Sequence, residues 1–227
     1  MPASDAVPPQ DHPPARVLFI GNSHTYYHDM PDTVKLLARA AQPPADMVWE
    51  GVFAGGSTLE RHWHAGEAKE AIDRGGWKAV VLQEQSTRPV EDPQAMAEYV
   101  RRFHEAAVAA GAQTVLYATW PRRGRPYDLD AIAGGYESLA CELSARLAPA
   151  GRAWALAQQE RPHIELYDTD GRHASPLGSY LAACTLVWAL FGRDPRACGE
   201  AQVPGVRFDE ATFLLEVAFR ATAQASG

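Results

Sequence analysis

The chain has 227 residues, of which 46% are apolar and 22% are charged, and it carries a net charge of −7. These proportions are typical of globular proteins and exclude a fibrous or largely disordered chain, while the length predicts one domain. The acidic balance provides no basic surface for phosphate groups, so we expect no nucleic-acid partner.

The N-terminal residues and the cysteines bear on the expected cellular compartment. Residues 1–15 are rich in proline and lack the cationic patch and the apolar core of a secretion signal. We therefore predict a disordered arm, followed by a single domain at residues 16–227. Cys141, Cys184 and Cys198 are not spaced as C-x-x-C, which argues against a disulfide framework and a structural zinc site. Since no apolar run reaches about 18 residues, we expect a cytoplasmic protein without membrane contact.

Short apolar runs and helical patterns alternate along the chain. The apolar runs predict strands at residues 17–20, 47–53, 79–82 and 114–118. Helical spacing and cap-plus-proline starts predict helices at residues 31–41, 59–74, 93–107, 128–147, 176–190 and 209–221. This order predicts a parallel sheet with helices on both faces. In such sheets the functional residues gather in the loops after the carboxyl ends of the strands.

Polar loops follow the predicted strands. They read Gly-Asn-Ser-His-Thr at residues 21–25, Ala-Gly-Gly-Ser-Thr at 54–58, Gln-Glu-Gln-Ser-Thr at 83–87 and Thr-Trp-Pro-Arg at 119–122. A further polar stretch, Asp-Gly-Arg-His at residues 170–173, precedes the helix predicted from residue 176. Acyl transfer needs a hydroxyl nucleophile, a base for its proton and donors for the oxyanion, and these loops contain candidates for all three.

The predicted nucleophile is Ser23, because it lies at a strand-to-helix turn where a serine hydroxyl is exposed. His173 is the predicted base. Asp170 lies three residues before it and can orient the imidazole and fix its tautomer. Asp168 is a rival for that role, although it is five residues from the histidine.

The predicted oxyanion donors come from three loops. Ser23 and Gly56 can each contribute an unobstructed backbone N–H, and the side-chain amide of Gln83 or Gln85 can contribute another donor. Alternation along a strand puts Gln83 and Gln85 on the same side, so periodicity does not choose between them.

In this order the residues resemble the SGNH/GDSL hydrolases, over roughly residues 17–190. The nucleophile block of that family appears as Gly-Asn-Ser at residues 21–23, its second-block glycine as Gly56, and its D-x-x-H block as Asp170 and His173. The resemblance implies a three-layer α/β/α, flavodoxin-like domain with a central parallel sheet. It also implies ester hydrolysis, often deacetylation of carbohydrates or cleavage of small acyl esters, without a metal or other cofactor.

Two blocks of the chain depart from the family pattern. Asn22 stands where the family has aspartate, a residue that holds the turn, and asparagine can cap the turn in the same way. The third block, normally G-x-N-D with asparagine as an oxyanion donor, reads Gln-Glu-Gln-Ser at residues 83–86. Glutamine carries the same amide on a longer stem. Similarity to the Q-G-E-S block of some sugar acetylesterases favours Gln83.

Aromatic and basic side chains near these loops are candidates for substrate contact. His24, Trp63 and Trp120 are the predicted substrate-binding residues, and packing in a turn or in the core is the alternative for each. The arginines within residues 122–125 suit either a solvated loop or an anionic substrate group. His62 and His64 would point to different faces of a helix, so a shared metal ion is not expected.

We therefore predict a serine esterase that cleaves a small-molecule ester or an acylated carbohydrate through an acyl-enzyme on Ser23. Activity should fall in acid, because a protonated His173 cannot accept the serine proton. P-loop, dinucleotide-binding, zincin and α/β-hydrolase motifs are absent. One alternative is a catalytically impaired protein of the same fold that binds a carbohydrate or acyl ligand, which Asn22 and the altered third block favour. Another is an acyltransferase that uses the same serine.

Overall fold

A computed structural model describes residues 13–199 and 201–224. Within these residues, five parallel strands form a sheet in the order β2-β1-β3-β4-β5, which is the order of flavodoxin-like folds. The strands are β1 Ala15–Gly21, β2 Met47–Phe53, β3 Ala79–Leu82, β4 Gln113–Tyr117 and β5 Arg146–Ala148.

Helices follow each strand and cover both faces of the sheet. In chain order they are α1 Ser23–Tyr26, α2 Met30–Ala40, α3 Leu59–Ala65, α4 Glu67–Asp73, α5 Arg88–Glu91, α6 Pro93–Ala109, α7 Leu129–Leu143, α8 Ala150–Glu160, α9 Pro176–Phe191 and α10 Phe208–Gln224. Short 3-10 turns lie at Tyr27–Asp29, Pro126–Asp128 and Pro195–Cys198.

The side chains of β1 point alternately to the two faces of the sheet, and this alternation divides the core. Val17 and Phe19 pack on one side with α2, α8, α9 and α10, whereas Leu18 and Ile20 pack on the other side with α3, α4, α6 and α7. Helix α9 is apolar on most of its surface and is buried, because it packs against α2, α8, α10 and the sheet. The predicted three-layer α/β/α architecture with a parallel sheet is confirmed.

Two predicted helices differ from the structure. The helix predicted at residues 59–74 is divided into α3 and α4 by Gly66, whose φ is 86°. The helix predicted at residues 128–147 ends at Leu143, because Ser144 adopts the left-handed conformation and the chain then enters β5. Strand β5 and helix α8 are not predicted from the sequence, since a strand of three residues shows no periodicity and α8 is rich in small alanines.

The predicted caps of two long helices are confirmed. The side chain of Asp92 accepts from the N–H of Ala95 at 3.1 Å in α6, and that of Ser175 accepts from the N–H of Gly178 at 3.2 Å in α9. Residues 1–12 of the predicted arm lie outside the described residues, and Ala15 already belongs to β1. Within the described ranges, no helix has the length and apolar character needed to cross a membrane.

Candidate active site

A pocket lies at the carboxyl edge of the sheet, where the strand order reverses. The chain leaves β1 toward β2 on one side and later enters β3 on the other, so the loops after β1 and β3 diverge and leave a crevice. The pocket there has a volume of about 310 Å³. Its lining comes from the loops after β1, β2, β3 and β4 and from the segment before α9: Asn22, Ser23, His24, Tyr26, Tyr27, Gly55, Gly56, Gln85, Ser86, Arg122, Arg172 and His173.

Three side chains singled out from the sequence meet at this pocket. Oγ of Ser23 lies 2.8 Å from Nε2 of His173, and Nδ1 of the same ring lies 2.6 Å from Oδ2 of Asp170. Because the carboxylate accepts the proton on Nδ1, Nε2 is left as an acceptor for the serine hydroxyl. This arrangement can draw a proton from Ser23 while holding the imidazole in one tautomer.

Residues 21–25 form the nucleophile turn, which presents Ser23 to the pocket. The side chain of Asn22 accepts from the N–H of His24 at 3.1 Å and donates to the carbonyl of Ser57 at 3.0 Å, so it ties this turn to the loop after β2. A Cβ at Gly21 would lie 2.6 Å from Oε1 of Gln83, so only glycine allows this close approach. Asparagine therefore holds the turn by its own hydrogen bonds.

Gln83 is buried beneath the nucleophile turn and does not line the pocket. Its Oε1 accepts from the N–H of Asn22 at 2.8 Å and from the hydroxyl of Thr25 at 2.9 Å, and its Nε2 donates to the carbonyl of Glu84. Both ends of the amide are occupied, and the residue is 0% exposed. This geometry disfavours Gln83 as an oxyanion donor and shows that it supports the turn.

Gln85 does line the pocket. Its Oε1 accepts from the N–H groups of Thr87 at 2.8 Å and of Arg88 at 3.0 Å, which fixes the orientation of the amide. Nε2 makes no hydrogen bond with any described residue. The amide of Gln85 is therefore available to a ligand through its donor end.

Two backbone N–H groups are also available at the pocket. Ser23 is the first residue of α1, so its N–H has no acceptor within the helix. Gly56 lies in a turn with a φ of 63°, a conformation that favours glycine. Across residues 13–199 and 201–224, neither N–H is hydrogen bonded. Together with Nε2 of Gln85, they give the pocket three donors.

Residues 168–174 form the histidine loop, and Asp170 holds much of it together. Oδ1 of Asp170 accepts from the N–H groups of Arg172 at 2.9 Å and of His173 at 3.0 Å, and Oδ2 also accepts from Nε of Arg172 at 2.9 Å. Burial alone would raise the pKa of Asp170, but these hydrogen bonds outweigh it and hold the pKa well below its usual range. The side chain of Asp168 turns to the N–H of Thr169, so Asp170 and not Asp168 contacts the imidazole.

Two aromatic rings pack against the imidazole of His173. The ring of Tyr27 stacks on it with centroids 4.2 Å apart and planes 9° apart, and the ring of His24 lies with its centroid 5.3 Å away. Burial and the neighbouring His173 lower the pKa of His24 to about 3. His24 therefore lines the pocket as a neutral imidazole and brings no charge next to His173.

The two tryptophans predicted to contact substrate lie away from the pocket: Trp120 is buried in the core, and Trp63 is half-buried against it. Trp120 is 1% exposed, stacks on Trp154 with centroids 4.0 Å apart, and donates from Nε1 to the carbonyl of Arg172 at 3.0 Å. Trp63 packs edge-on against Phe103 of α6 and does not line the pocket. The prediction is wrong for both, because each ring finds an apolar partner inside the protein. Trp120 supports the histidine loop from beneath.

The two histidines of α3 have separate partners. Nε2 of His62 lies 2.9 Å from the carbonyl of Gly21, and Nε2 of His64 lies 2.9 Å from the hydroxyl of Tyr99. Burial lowers the pKa of His62, so it is a neutral support beneath the nucleophile turn. Among the described residues, no group of three His, Cys, Asp or Glu side chains is placed to hold a metal ion.

Comparison with solved structures relates this site to known proteins. A protein from Slackia heliotrinireducens that is assigned to the SGNH hydrolases is 32% identical to this chain, with a TM-score of 0.65. The similarity covers 78% of this chain and 99% of that protein. The chain belongs to the SGNH hydrolase family.

More distant structures share the SGNH hydrolase fold. A DUF4886 family protein from Bacteroides uniformis is 19% identical over 92% of this chain and 95% of that protein, with a TM-score of 0.73. An acetylxylan esterase from Geobacillus stearothermophilus is 14% identical over 78% of this chain and 94% of that protein, with a TM-score of 0.61. No protein-family model and no curated protein matches the chain.

Two residues of this SGNH hydrolase contact the Asp170–His173 pair, although the sequence analysis predicts no such contact for either. Arg172 donates to the carboxylate oxygen that also contacts the imidazole, and Tyr27 stacks on that imidazole. The signal for Arg172 is local, because an aspartate often accepts from the backbone N–H two residues later. No such signal exists for Tyr27, whose position depends on how the turn after α1 meets the histidine loop.

Glu84 is a buried acid beside the site. Its Oε1 accepts from the N–H groups of Leu59 at 3.1 Å and of Gln85 at 2.6 Å, and its Oε2 has no partner among the described residues. Burial raises the pKa of Glu84 to about 7. The carboxyl group connects the start of α3 with the loop that carries Gln85.

Proposed function

We propose that this SGNH hydrolase cleaves carboxylic esters through an acyl-enzyme on Ser23. The observation that carries the proposal is the line of hydrogen bonds from Ser23 through His173 to Asp170 at the wall of an open pocket. A nucleophile, a base and an orienting carboxylate in mutual contact are what acyl transfer requires.

In the first half of the reaction, Oγ of Ser23 attacks the ester carbonyl carbon while Nε2 of His173 takes the hydroxyl proton. The carbonyl oxygen becomes an oxyanion, which the N–H groups of Ser23 and Gly56 and the Nε2 of Gln85 receive. Collapse of this intermediate breaks the bond to the alcohol, which leaves with the proton from His173. Each donor of such a hole typically contributes about 10²–10³ in turnover.

In the second half, water resolves the acyl-enzyme. His173 takes a proton from the water, whose oxygen attacks the acyl carbon, and the carboxylic acid leaves as Ser23 regains its proton. In both halves Asp170 stabilises the imidazolium and keeps the ring in place. Its lowered pKa keeps the carboxylate charged at neutral pH.

The pocket favours small esters. Its volume of about 310 Å³ lies at the lower end of the usual range for ligand pockets, and many of its lining residues are polar. The rings of Tyr26 and Tyr27 add flat apolar surface to the wall. We therefore propose short-acyl esters, including O-acetyl groups on carbohydrates, as the substrates.

The test is turnover of 4-nitrophenyl acetate, with fluorophosphonate labelling in parallel, for the wild type and Ser23→Ala. We expect labelling to vanish and kcat to fall by at least about 10³-fold in the variant. Ser138→Ala, at an exposed position of α7, is the matched control and should keep both signals. Equal turnover by wild type and Ser23→Ala would contradict the proposal. A wild type that neither turns over nor labels would favour the ligand-binding alternative.

A further inference from the structure

Several arginines lie around the pocket, and most of them are neutralised by a carboxylate. Three of them form ion pairs at 2.7 to 2.9 Å: Arg123 with Glu165, Arg125 with Asp128, and Arg172 with Asp170. Arg122, which lines the pocket beside Ser23 and His173, differs from these three. Its guanidinium makes no ion pair or hydrogen bond with any residue in the described ranges.

The charge of the pocket is opposite to that of the whole chain. The chain carries a net charge of −7, yet the pocket lining contains two guanidiniums and no carboxylate. Arg172 is offset by Asp170, so the uncompensated charge is that of Arg122. Burial is the main cause of the lowered pKa of His24, and the positive charge of Arg122 on the same pocket adds to it. An unpaired cation in a pocket rich in N–H donors favours an anionic ligand.

We infer that Arg122 binds an anionic oxygen group, a carboxylate or a phosphate, on the ester that Ser23 cleaves. This inference rests on the proposed function for the reaction and adds the substrate class: short-acyl esters with a negative charge within reach of Arg122. A guanidinium suits this role, because its planar fork of donors matches the two oxygens of a carboxylate or phosphate.

The first test compares anionic and neutral esters of similar size. In the first pair, mono-4-nitrophenyl succinate and 4-nitrophenyl butyrate, the anionic ester carries its charge on the acyl side. In the second pair, 3-acetoxybenzoate and phenyl acetate, the anionic ester carries its charge on the alcohol side. We expect Arg122→Gln to lower the ratio of anionic to neutral kcat/KM about tenfold in one of the two pairs. High salt should shrink the preference of the wild type for that anionic ester.

Arg123→Gln is the matched control, because it removes the neighbouring charge at a residue that pairs with Glu165 and does not line the pocket. It should leave the ratio of anionic to neutral kcat/KM unchanged. A ratio that falls in neither pair for Arg122→Gln, or that falls equally for Arg123→Gln, would overturn the inference.

A binding measurement separates this inference from the proposed reaction. In a Ser23→Ala background, the Kd for 3-acetoxybenzoate and for monomethyl succinate is measured by NMR titration with and without Arg122→Gln. We expect Arg122→Gln to raise the Kd for one of the two anions about tenfold. If binding depends on Arg122 but no ester is hydrolysed, the anion site stands and the proposed function fails. If Ser23 hydrolyses esters but neither anion binding nor the ratio depends on Arg122, only the anion site fails.

Discussion

The nucleophile turn and the histidine loop supply the two halves of the site, and the protein holds them in different ways. The nucleophile turn is buried, and its hydrogen bonds reach Ser57 after β2, Gln83 after β3 and His62 in α3. The histidine loop lies nearer the surface, and bonds among its own residues hold most of it, with Trp120 as a donor from the core. The turn is thus part of the core, whereas the loop is attached to it.

This difference predicts different costs of mutation. A change in the nucleophile turn or beneath it leaves buried polar groups without partners, so stability and turnover should fall together. A change in the exposed part of the histidine loop leaves groups that water can reach, so turnover should fall with little loss of stability.

The largest effect is expected for Asp170→Asn. Asparagine can still accept from the two backbone N–H groups, but its NH₂ cannot accept from Nδ1–H of His173, so the imidazole loses its preferred tautomer. We expect kcat for 4-nitrophenyl acetate to fall about 10³–10⁴-fold, with a small change in Tm. Asp168→Asn is the control and should retain turnover, because that side chain does not contact the imidazole. A fall in kcat of less than about tenfold for Asp170→Asn would contradict the assigned role.

Gln83→Ala tests the support of the buried nucleophile turn. The N–H of Asn22 and the hydroxyl of Thr25 would lose their acceptor and a cavity would open, so the free energy of unfolding should fall by about 2–4 kcal/mol. The free energy of unfolding in urea and the kcat for 4-nitrophenyl acetate are measured for the same variant, and both should fall. Gln159→Ala, at an exposed position of α8, should change neither. Lost turnover with unchanged stability would instead restore Gln83 as a direct oxyanion donor.

Glu84→Gln tests how pH changes stability through the buried acid beside the site. Because burial raises the pKa of Glu84 to about 7, the native state keeps a proton that the unfolded chain has already lost. Unfolding then releases that proton, so this residue makes stability fall as pH rises from about 4.5 to about 7. Glutamine does not titrate, so the variant lacks this pH dependence. The free energy of unfolding of the wild type, minus that of the variant, should therefore decline by about 2–3 kcal/mol as pH rises from about 4.5 to about 7. A difference that stays constant with pH would contradict the assignment.

The smallest effect is expected for Trp120→Phe, which changes the support of the histidine loop. Phenylalanine keeps an aromatic ring in the core but removes the donor to the carbonyl of Arg172, one of the bonds that attach the histidine loop to the rest of the protein. We expect a stability loss of about 1 kcal/mol from the hydrogen bond, beyond the loss from the smaller ring, together with a few-fold fall in kcat. Trp154→Phe, in its stacking partner, measures the effect of ring size. Equal kcat in the two variants would show that this bond does not position the loop.

The fold and the line of contacts from Ser23 through His173 to Asp170 could be predicted from the order and spacing of the residues. Buried parallel strands appear as continuous apolar runs, and the loops that follow them must meet at one edge of the sheet, which places Ser23 near the other polar loops. Asp170 and His173 are three residues apart, so their contact is a matter of local chain geometry. These features depend on periodicity and short spacing, which a single sequence displays.

Which glutamine lines the pocket and where the tryptophans lie could not be predicted before the fold was known. Gln83 and Gln85 share a side by strand alternation, but β3 ends at Leu82, so that rule no longer sets their directions and the contacts with Asn22 and Thr25 draw Gln83 inward. The positions of Trp63 and Trp120 also depend on distant residues, because the rings pack against Phe103 and Trp154, respectively. Side-chain direction outside regular strands and helices depends on contacts between distant segments, and these exist only once the chain has folded.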